Sequence, residues 1–510
     1  MKKLFLVFII GILFLTLTVN AAPKKWTVMV FINGDNNLEG AGIKDINEME
    51  KIGSSDQVNI VVQYDRIPGY DSSNGDWKGT KIFYIEKDND FQKISSKVVK
   101  DLGEVDMGDY KEAIKFFNYS VDKYPAERYL FVYWNHGMGW EKENRQERLV
   151  KGISYDDTNG THIDSPGMKK VAEAMYSKLG RKMDVIAFDA CLMGMIEVAM
   201  QQSDYLKYMI ASEETEPGDG WPYDLVLGPL VKNPNMKTVD FTKTAVKAYL
   251  KSYEGQSSWW GPTEVTQGAM DLSKIPALSE AVDDMASYVY KNLDKEKSSL
   301  DHAINYSQKY ELSYSKDLYN FVERLKAITK DEKLKVRCDK VLKAIKDAVI
   351  ITMHQGDKMK DSHGIAIYAP KKYEWKKHYI NTEFAKATAW DEMLLKSYDT
   401  QVQTIAQEPA DEDVSEPTVA VNEEPAAEPK EDNSPQWWQN IVSGIKDFLG
   451  LFRNRSYSEV DFNDVDALAS HIAKEVDLNG NGPTKPPVAV IRKLADKYPE
   501  LNLILEKMEQ

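Results

Sequence analysis

Two side chains in this sequence have the types needed for nucleophilic attack on a carbonyl. Cys191 stands in "VIAFDACLMG", Val185 to Gly194, and is one of two cysteines in 510 residues. His136 stands upstream in "FVYWNHGMGW". A thiolate attacks a carbonyl carbon, and a nearby imidazole lowers the thiol pKa and protonates the leaving amine. Gly137 leaves room for a substrate, and its N–H with that of Cys191 can hold the oxyanion. The same residue types have plainer readings. Cysteine is often simply buried, and a single histidine is usually structural. A disulfide to Cys338, in the helix-like stretch "EKLKVRCDKVLKAI", is a further alternative.

For the two side chains to meet, their flanking elements must bring them to one edge. "MDVIAF" (183–188) reads as a strand and "LMGMIEVAMQQ" as the helix that follows. Cys191 is therefore expected at a strand's carboxyl end and close to a helix N-terminus, where the dipole favours a thiolate. "RYLFVYW" (128–134) is also strand-like, and His136 follows it. In a parallel sheet both strands end at the same edge. Further apolar runs are "WTVMVFI" (26–32), "VNIVVQY" (58–64), "TKIFYI" (80–85) and "KYMIAS" (207–212). Helical patterns lie between them. "DYKEAIKFFNYSVDKY" puts Ala113, Phe116, Phe117 and Val121 on one face, and "SPGMKKVAEAMYSKL" offers Ser165 as N-cap with Pro166 at the first helical position. Such alternation predicts an α/β fold with a mostly parallel sheet flanked by helices, spanning residues 24–397.

The ends of the chain read differently. Residues 1–21 carry Lys2 and Lys3 before an apolar run from Leu4 to Val19, then small residues, which is the pattern of a secretory signal peptide. An exported protein is expected, secreted or held at the cell envelope. Lys2 and Lys3 leave with that segment, so the net charge moves from −15 to −17. This charge opposes non-specific nucleic-acid binding and attracts cationic substrates. Residues 398–435 form an acidic, proline-rich stretch, with ten acids, one lysine and five prolines between 401 and 435, and are expected to be a disordered linker. Residues 436–455 form an amphipathic helix led by Trp437 and Trp438 and closed by Arg453 and Arg455. It either docks on its own protein or contacts a membrane surface. Residues 456–510 read as a small helical module. Its "DLNGNG" has Val488 where a calcium loop needs Glu, so it is read as a turn.

Six ordered blocks go beyond these patterns: "WTVMVFINGDNNLE", "VDMGDYKEAIKFF", "YPAERYLFVYWNHGMGW", "FDACLMGMIEVA", "ASEETEPGDGWPYD" and "HGIAIYAP". They resemble the clostripain family of secreted cysteine peptidases, of the caspase, legumain and gingipain clan, over about residues 26–395. The resemblance implies a caspase-like core with His136 and Cys191 as the catalytic dyad. It implies protein or peptide substrates cut after Arg or Lys, with Asp189 and Asp219 as acids of the substrate pocket. Asp189 can equally be a strand-end acid capping the next helix. Glu213, Glu214 and Glu216 read as loop or secondary charges. His363 departs from the family pattern, which more often has a small residue there. No cofactor is needed for the chemistry. Some members depend on calcium, and the sequence locates no metal site. Relatives commonly mature by cutting themselves between the catalytic residues. The polar stretch "EKENRQERLVKG" (141–152) offers Arg145, Arg148 and Lys151 for such a cut. The rival readings are a catalytically silent binding protein or adhesin on a peptidase scaffold, and a transpeptidase using the same thioester.

Overall fold

The computed structural model describes residues 23–140, 152–258 and 261–398. All of them lie in the first of two units, Met1–Ala406 and Gln407–Gln510. The expectations for residues 1–21, for Arg145, Arg148 and Lys151, for the linker beyond Tyr398, for the 436–455 helix and for the 456–510 module fall outside the described residues. Among the described residues no helix is long and apolar enough to cross a membrane.

In chain order the strands are β1 (Lys24–Gly34), β2 (Val58–Arg66), β3 (Thr80–Tyr84), β4 (Lys97–Gly103), β5 (Ala126–Trp134), β6 (Ile153–Asp156), β7 (Thr161–Ile163), β8 (Met183–Asp189), β9 (Leu206–Ala211), β10 (Ser257–Ser258), β11 (Gly261–Pro262), β12 (Val265–Asp271), β13 (Ser315–Asp317), β14 (Val349–Gln355) and β15 (Ala366–Tyr368). Nine of them form one sheet in the order β14-β12-β9-β8-β5-β1-β2-β3-β4. The five central strands, β9-β8-β5-β1-β2, run parallel. The margins are antiparallel, β3 and β4 on one side and β12 and β14 on the other. The expected mostly parallel sheet is thus the centre of a mixed one, and the 80–85 run pairs antiparallel.

The central strands are apolar on both faces because helices cover both. Val28, Val30 and Ile32 of β1 point into one core, with Leu130 and Val132 of β5 and Val185 and Ala187 of β8. Met29 and Phe31 point into the other, with Phe131, Tyr133, Ile186 and Phe188. Each such side chain, fully buried, contributes about 1.5–3 kcal/mol, so these strands are held firmly in place. The helices nearest the site are α1 (Glu39–Glu50), α2 (Tyr110–Lys123), α3 (Ser165–Leu179), α4 (Ile196–Gln202), α5 (Tyr223–Lys232) and α6 (Thr238–Tyr253).

Two local expectations shift. On α2, Ala113, Phe116 and Phe117 are buried as expected, with Ser120 as the fourth buried position. On α3 the N-cap is Asp164, whose carboxylate accepts from the Gly167 N–H at 2.8 Å; Ser165 is the first helical residue. A carboxylate there also suits the positive end of the helix dipole.

Candidate active site

The chain runs from β1 to β2 on one side and later returns to β5 on the other. A sheet whose order reverses in this way opens a crevice at the strands' carboxyl ends. The parallel register of β5 and β8 places Trp134 opposite Asp189. Two residues beyond each partner stand His136 and Cys191. The sheet therefore delivers both to one edge, as their strand-end positions predict. Asn135 continues the pairing, its N–H donating to the Asp189 carbonyl at 3.2 Å. Gly137 lies directly on the cysteine turn. A Cβ added there would sit 2.4 Å from the Cys191 carbonyl oxygen and 3.1 Å from Ala190 Cβ. The contact demands glycine for space alone.

His136 Nε2 lies 2.9 Å from Asn37 Oδ1. Asn37 follows β1, so the neighbouring strand supplies the group that orients the ring. An amide oxygen can only accept, which puts a proton on Nε2 and makes Nδ1 the basic nitrogen of the neutral ring.

The surroundings of Cys191 correct one expectation. The helix does not begin at Leu192; α4 starts at Ile196. Residues 190–195 make a turn in which Leu192 adopts φ +63°. Two bonds from the next loop hold it, Leu192 N–H to the Glu214 carbonyl at 3.1 Å and Gly194 N–H to the Ser212 carbonyl at 2.7 Å. Cys191 therefore sits away from the helix dipole. Its Sγ instead accepts from the Glu216 N–H at 3.3 Å. Burial pushes the thiol up to about 12, against that N–H, and the carboxylates of Glu216 and Glu214 add to the rise. Burial at this position thus favours the thiol over the thiolate. The disulfide alternative is excluded: Cys191 and Cys338 are both free. Cys338 is buried, with its sulfur 4.0 Å from Met285 Sδ.

Beneath the cysteine lies a cluster of acids. Asp189 is 5% exposed. Its Oδ2 accepts from the Tyr223 hydroxyl at 2.9 Å and from the Trp221 N–H at 3.4 Å. The carboxyl group of Glu216 is the neighbour of Asp189 in this cluster. Glu216 Oε1 accepts from Gln267 Nε2 at 3.1 Å, while Oε2 is buried without a partner. Asp45 of α1, held by Trp134 Nε1–H at 2.6 Å, is the third acid. Burial pushes Asp189 up to about 7, and burial with mutual repulsion raises Asp45 and Glu216. Among the described residues none of the three forms an ion pair with lysine or arginine.

The other acids of the loop after β9 divide by position. Asp219 is at the surface, its side chain 65% exposed and paired with Lys44 at 2.6 Å. It is Glu216 that touches both Asp189 and the sulfur, a role no sequence signal marks beyond its place in an acid-rich loop. Glu213 and Glu214, read as loop or secondary charges, are buried supports. Glu213 accepts from the Gly364 N–H at 2.8 Å, and Glu214 from the Glu311 N–H at 3.1 Å. Asp189 does not cap α4, because the 190–195 turn intervenes. His363 donates or accepts through Nδ1 at 3.0 Å from Asp317 and stacks on Tyr319, so its larger ring is accommodated within the fold. Carboxylates grouped closely enough to hold a metal ion are Asp35, Asp65, Glu104 and Asp156, apart from the cysteine.

A cysteine and a histidine at the carboxyl edge of a central parallel sheet, beside buried acids, mark the candidate site of a mixed α/β protein. The chain belongs to the clostripain family, whose model matches residues 30–398. It is 32% identical over 225 residues to clostripain of Hathewaya histolytica, a match spanning 40% of this chain and 41% of that relative. The match thus covers about two fifths of the curated relative's length. A secreted C11 cysteine protease from Bacteroides thetaiotaomicron, solved with an irreversible peptide inhibitor, shares the fold with TM-score 0.55 and 24% identity, over 72% of this chain and 100% of that one. An inactive zymogen C11 protease from Parabacteroides distasonis does so with TM-score 0.54 and 18% identity, over 72% and 98%.

Proposed function

We propose that this protein is an exported cysteine endopeptidase that cleaves after Arg or Lys, using Cys191 and His136, and that it matures by its own cut within 141–152. The observation that carries the reading is the pair Asp189 and Glu216, buried beside the cysteine sulfur without a cationic partner among the described residues. A guanidinium or ammonium entering from a substrate neutralises that pair. At ~4 Å and an effective dielectric near 20, one such contact is worth about 4 kcal/mol before desolvation. Asp189 and Glu216 form the floor of this pocket, and Asp219 stays outside it.

The reaction follows from the resting protonation states. His136 Nδ1 takes the proton of Cys191 Sγ as sulfur attacks the scissile carbonyl carbon. The carbonyl oxygen becomes an oxyanion held by the N–H groups of Gly137 and Cys191. The carbon–nitrogen bond then breaks, and the imidazolium gives its proton to the leaving amine. A thioester remains on Cys191. Water attacks it with His136 again as base, the carbon–sulfur bond breaks, and the thiol is restored with a free carboxylic acid. Asn37 holds the ring in the required tautomer throughout.

Maturation uses the same chemistry on the chain itself. Arg145, Arg148 and Lys151 stand between the two catalytic residues in sequence and have the side chains the pocket takes. A denaturing gel with N-terminal sequencing tests this on wild type and Cys191→Ala. Two fragments from wild type, cut after one of these residues, and a single chain from the variant are expected. An active wild type that stays full-length overturns the maturation step. The specificity is tested with a fluorogenic peptide panel, where turnover after Arg or Lys is expected and equal turnover after Asp or Leu overturns the pocket assignment.

A further inference from the structure

β13 and β15 pair with each other outside the nine-stranded sheet. The pairing is antiparallel and sets Lys316 opposite Ile367. On its other side β13 meets the segment before it, where Lys309 and Lys316 form an antiparallel bridge pair. The bonds of that pair lie on the flanking residues, from the Tyr310 N–H to the Ser315 carbonyl at 3.2 Å and from the Asp317 N–H to the Gln308 carbonyl at 3.0 Å. Lys309 and Lys316 are thus a non-hydrogen-bonded pair, the kind whose side chains stand closer. Directly opposed residues share a face, with Cβ atoms ~5 Å apart. Lys309, Lys316 and Ile367 therefore share one. The ladder runs on through the Ala369 N–H, which donates to the Tyr314 carbonyl at 2.8 Å. The two-residue alternation of a strand carries that face from Ile367 through Ala369 to Lys371.

Three cations so grouped repel, and they are not neutralised. Among the described residues no carboxylate forms an ion pair with Lys309, Lys316 or Lys371, and none of the three ammonium groups makes a hydrogen bond. Lys316 is 3% exposed, with Ile367 beside it fully buried, while Lys309 is exposed. Lysine is almost never buried in this way unless paired. The nearest acid is Glu374, whose oxygens already accept from the Lys371 N–H at 2.8 Å and from the Ser313 hydroxyl. Three cations against one carboxylate leave two positive charges to be met, on a chain whose net charge is −15.

We propose that Lys309, Lys316 and Lys371 bind a tetrahedral dianion, a phosphate or sulfate group, on this face of the ribbon. Two negative charges match the local excess, which a single carboxylate would leave half met. Lysines act on such a group as point charges and need no planar fork to do so. Lys316 is the desolvated anchor, and exposed Lys309 stands on the side from which the group enters.

The site lies one ladder away from the cysteine turn. The Ala366 N–H of β15 donates to the Gly194 carbonyl at 2.8 Å, and the Asp317 carboxylate of β13 accepts from the His363 N–H at 2.6 Å. An anion that draws Lys309 onto β13 tightens the ribbon supporting that turn. The proposal concerns binding and stability and does not rest on the peptidase reading.

The test uses the full-length protein with Cys191→Ala, so that no peptidase activity alters the sample. Sodium sulfate is titrated calorimetrically at an ionic strength held constant with chloride, and thermal unfolding is followed in parallel. One sulfate site and a Tm rise of several degrees are expected. Lys316→Met, which keeps the buried stem and removes the charge, should abolish both. Lys309→Gln, an exposed change that leaves the core alone, should weaken binding by ~3-fold or more. Burial lowers the Lys316 amine to about 8, with Lys309 and Lys371 adding to the fall and Glu374 opposing it. At pH 8.5 the bound anion should therefore draw a proton onto Lys316, seen as a heat that varies with the buffer's ionisation enthalpy. At pH 6.5, where the amine is already charged, that variation should vanish. An absence of both heat and Tm shift overturns the site. So does undiminished sulfate binding in Lys316→Met, or equal stabilisation by chloride at the same ionic strength, which is plain screening. Inorganic phosphate and O-phosphoserine are then compared on the same protein. Tighter binding of phosphate supports the site as one for a free ion, and tighter binding of O-phosphoserine supports it as one for a phosphoryl group on a larger molecule.

Discussion

Trp134 and Asp189 are direct partners in the parallel register of β5 and β8, and each stands two residues before one member of the Cys–His pair. The register of two strands thus brings His136 and Cys191 to one edge. It also sets the buried acids beside them. The Trp134 side chain holds Asp45, and the Asp189 side chain faces Tyr223 and Glu216, so the acids are fixed by the same pairing that aligns the chemistry.

The first prediction concerns Gly137. Its backbone touches the Cys191 carbonyl so closely that any Cβ must displace one of the two turns. Gly137→Ala should leave the far-ultraviolet circular dichroism unchanged and lower kcat/KM by ~10²-fold, the scale expected of an ångström-size misplacement. Wild-type activity in this variant would show that the two turns are not held in register.

A second prediction follows from Asp189, held up to about 7 by burial. Below that pH the carboxyl is neutral and attracts a cation weakly; above it the charge is present. Relative kcat/KM for an Arg substrate over its neutral citrulline analogue should therefore rise as pH increases through about 7. The ratio of two substrates cancels any pH dependence that both share. Asp189→Asn should flatten the ratio across pH and lower it by ~10²-fold at pH 8, within the Coulomb estimate for one contact. A ratio that stays pH-dependent and high in Asp189→Asn would move cation recognition to another group.

A third concerns stability. Glu197 of α4 is buried, its Oε1 accepting from the Tyr368 N–H and the Tyr379 hydroxyl at 2.9 Å each, with Oε2 unpartnered. Burial raises its carboxyl from 4.5 to about 7. The folded chain then holds a proton that the unfolded chain releases, so stability falls as pH rises from 4.5 to 7 and the penalty is complete above 7. At ~1.4 kcal/mol per pH unit, this is at most about 3.5 kcal/mol. Glu197→Gln keeps the acceptor and removes the charge. Its Tm should match wild type at pH 5 and exceed it at pH 8. A difference independent of pH would mean that the buried charge costs nothing.

Much of this site is legible in the residues. The Arg128–Trp134 and Met183–Phe188 runs read as strands, and His136 and Cys191 stand just beyond their ends. Parallel pairing then brings the two together. Other features are not legible because distant segments create them. "LMGMIEVAMQQ" has helical composition from its first residue, yet bonds from Ser212 and Glu214 pull Leu192 to a positive φ and delay the helix to Ile196. Glu213, Glu214 and Glu216 look like a solvated acidic loop. They are drawn inward by fixed donors on Gly364, Glu311 and Gln267, which lie 51 to 151 positions away. Asp219, in the same loop, turns outward to Lys44. The four-carboxylate cluster has no motif at all, since its members follow or end four different strands.

The account depends above all on Cys191 as the nucleophile, and one comparison tests that most directly. Purified wild type and Cys191→Ala are assayed on a fluorogenic peptide with Arg on the acyl side of the cut, with His136→Ala alongside. The account predicts turnover by wild type, none by Cys191→Ala, and a loss of at least ~10³-fold in His136→Ala, because thiol deprotonation and leaving-group protonation both fail. Hydrolysis retained by well-folded Cys191→Ala would contradict it.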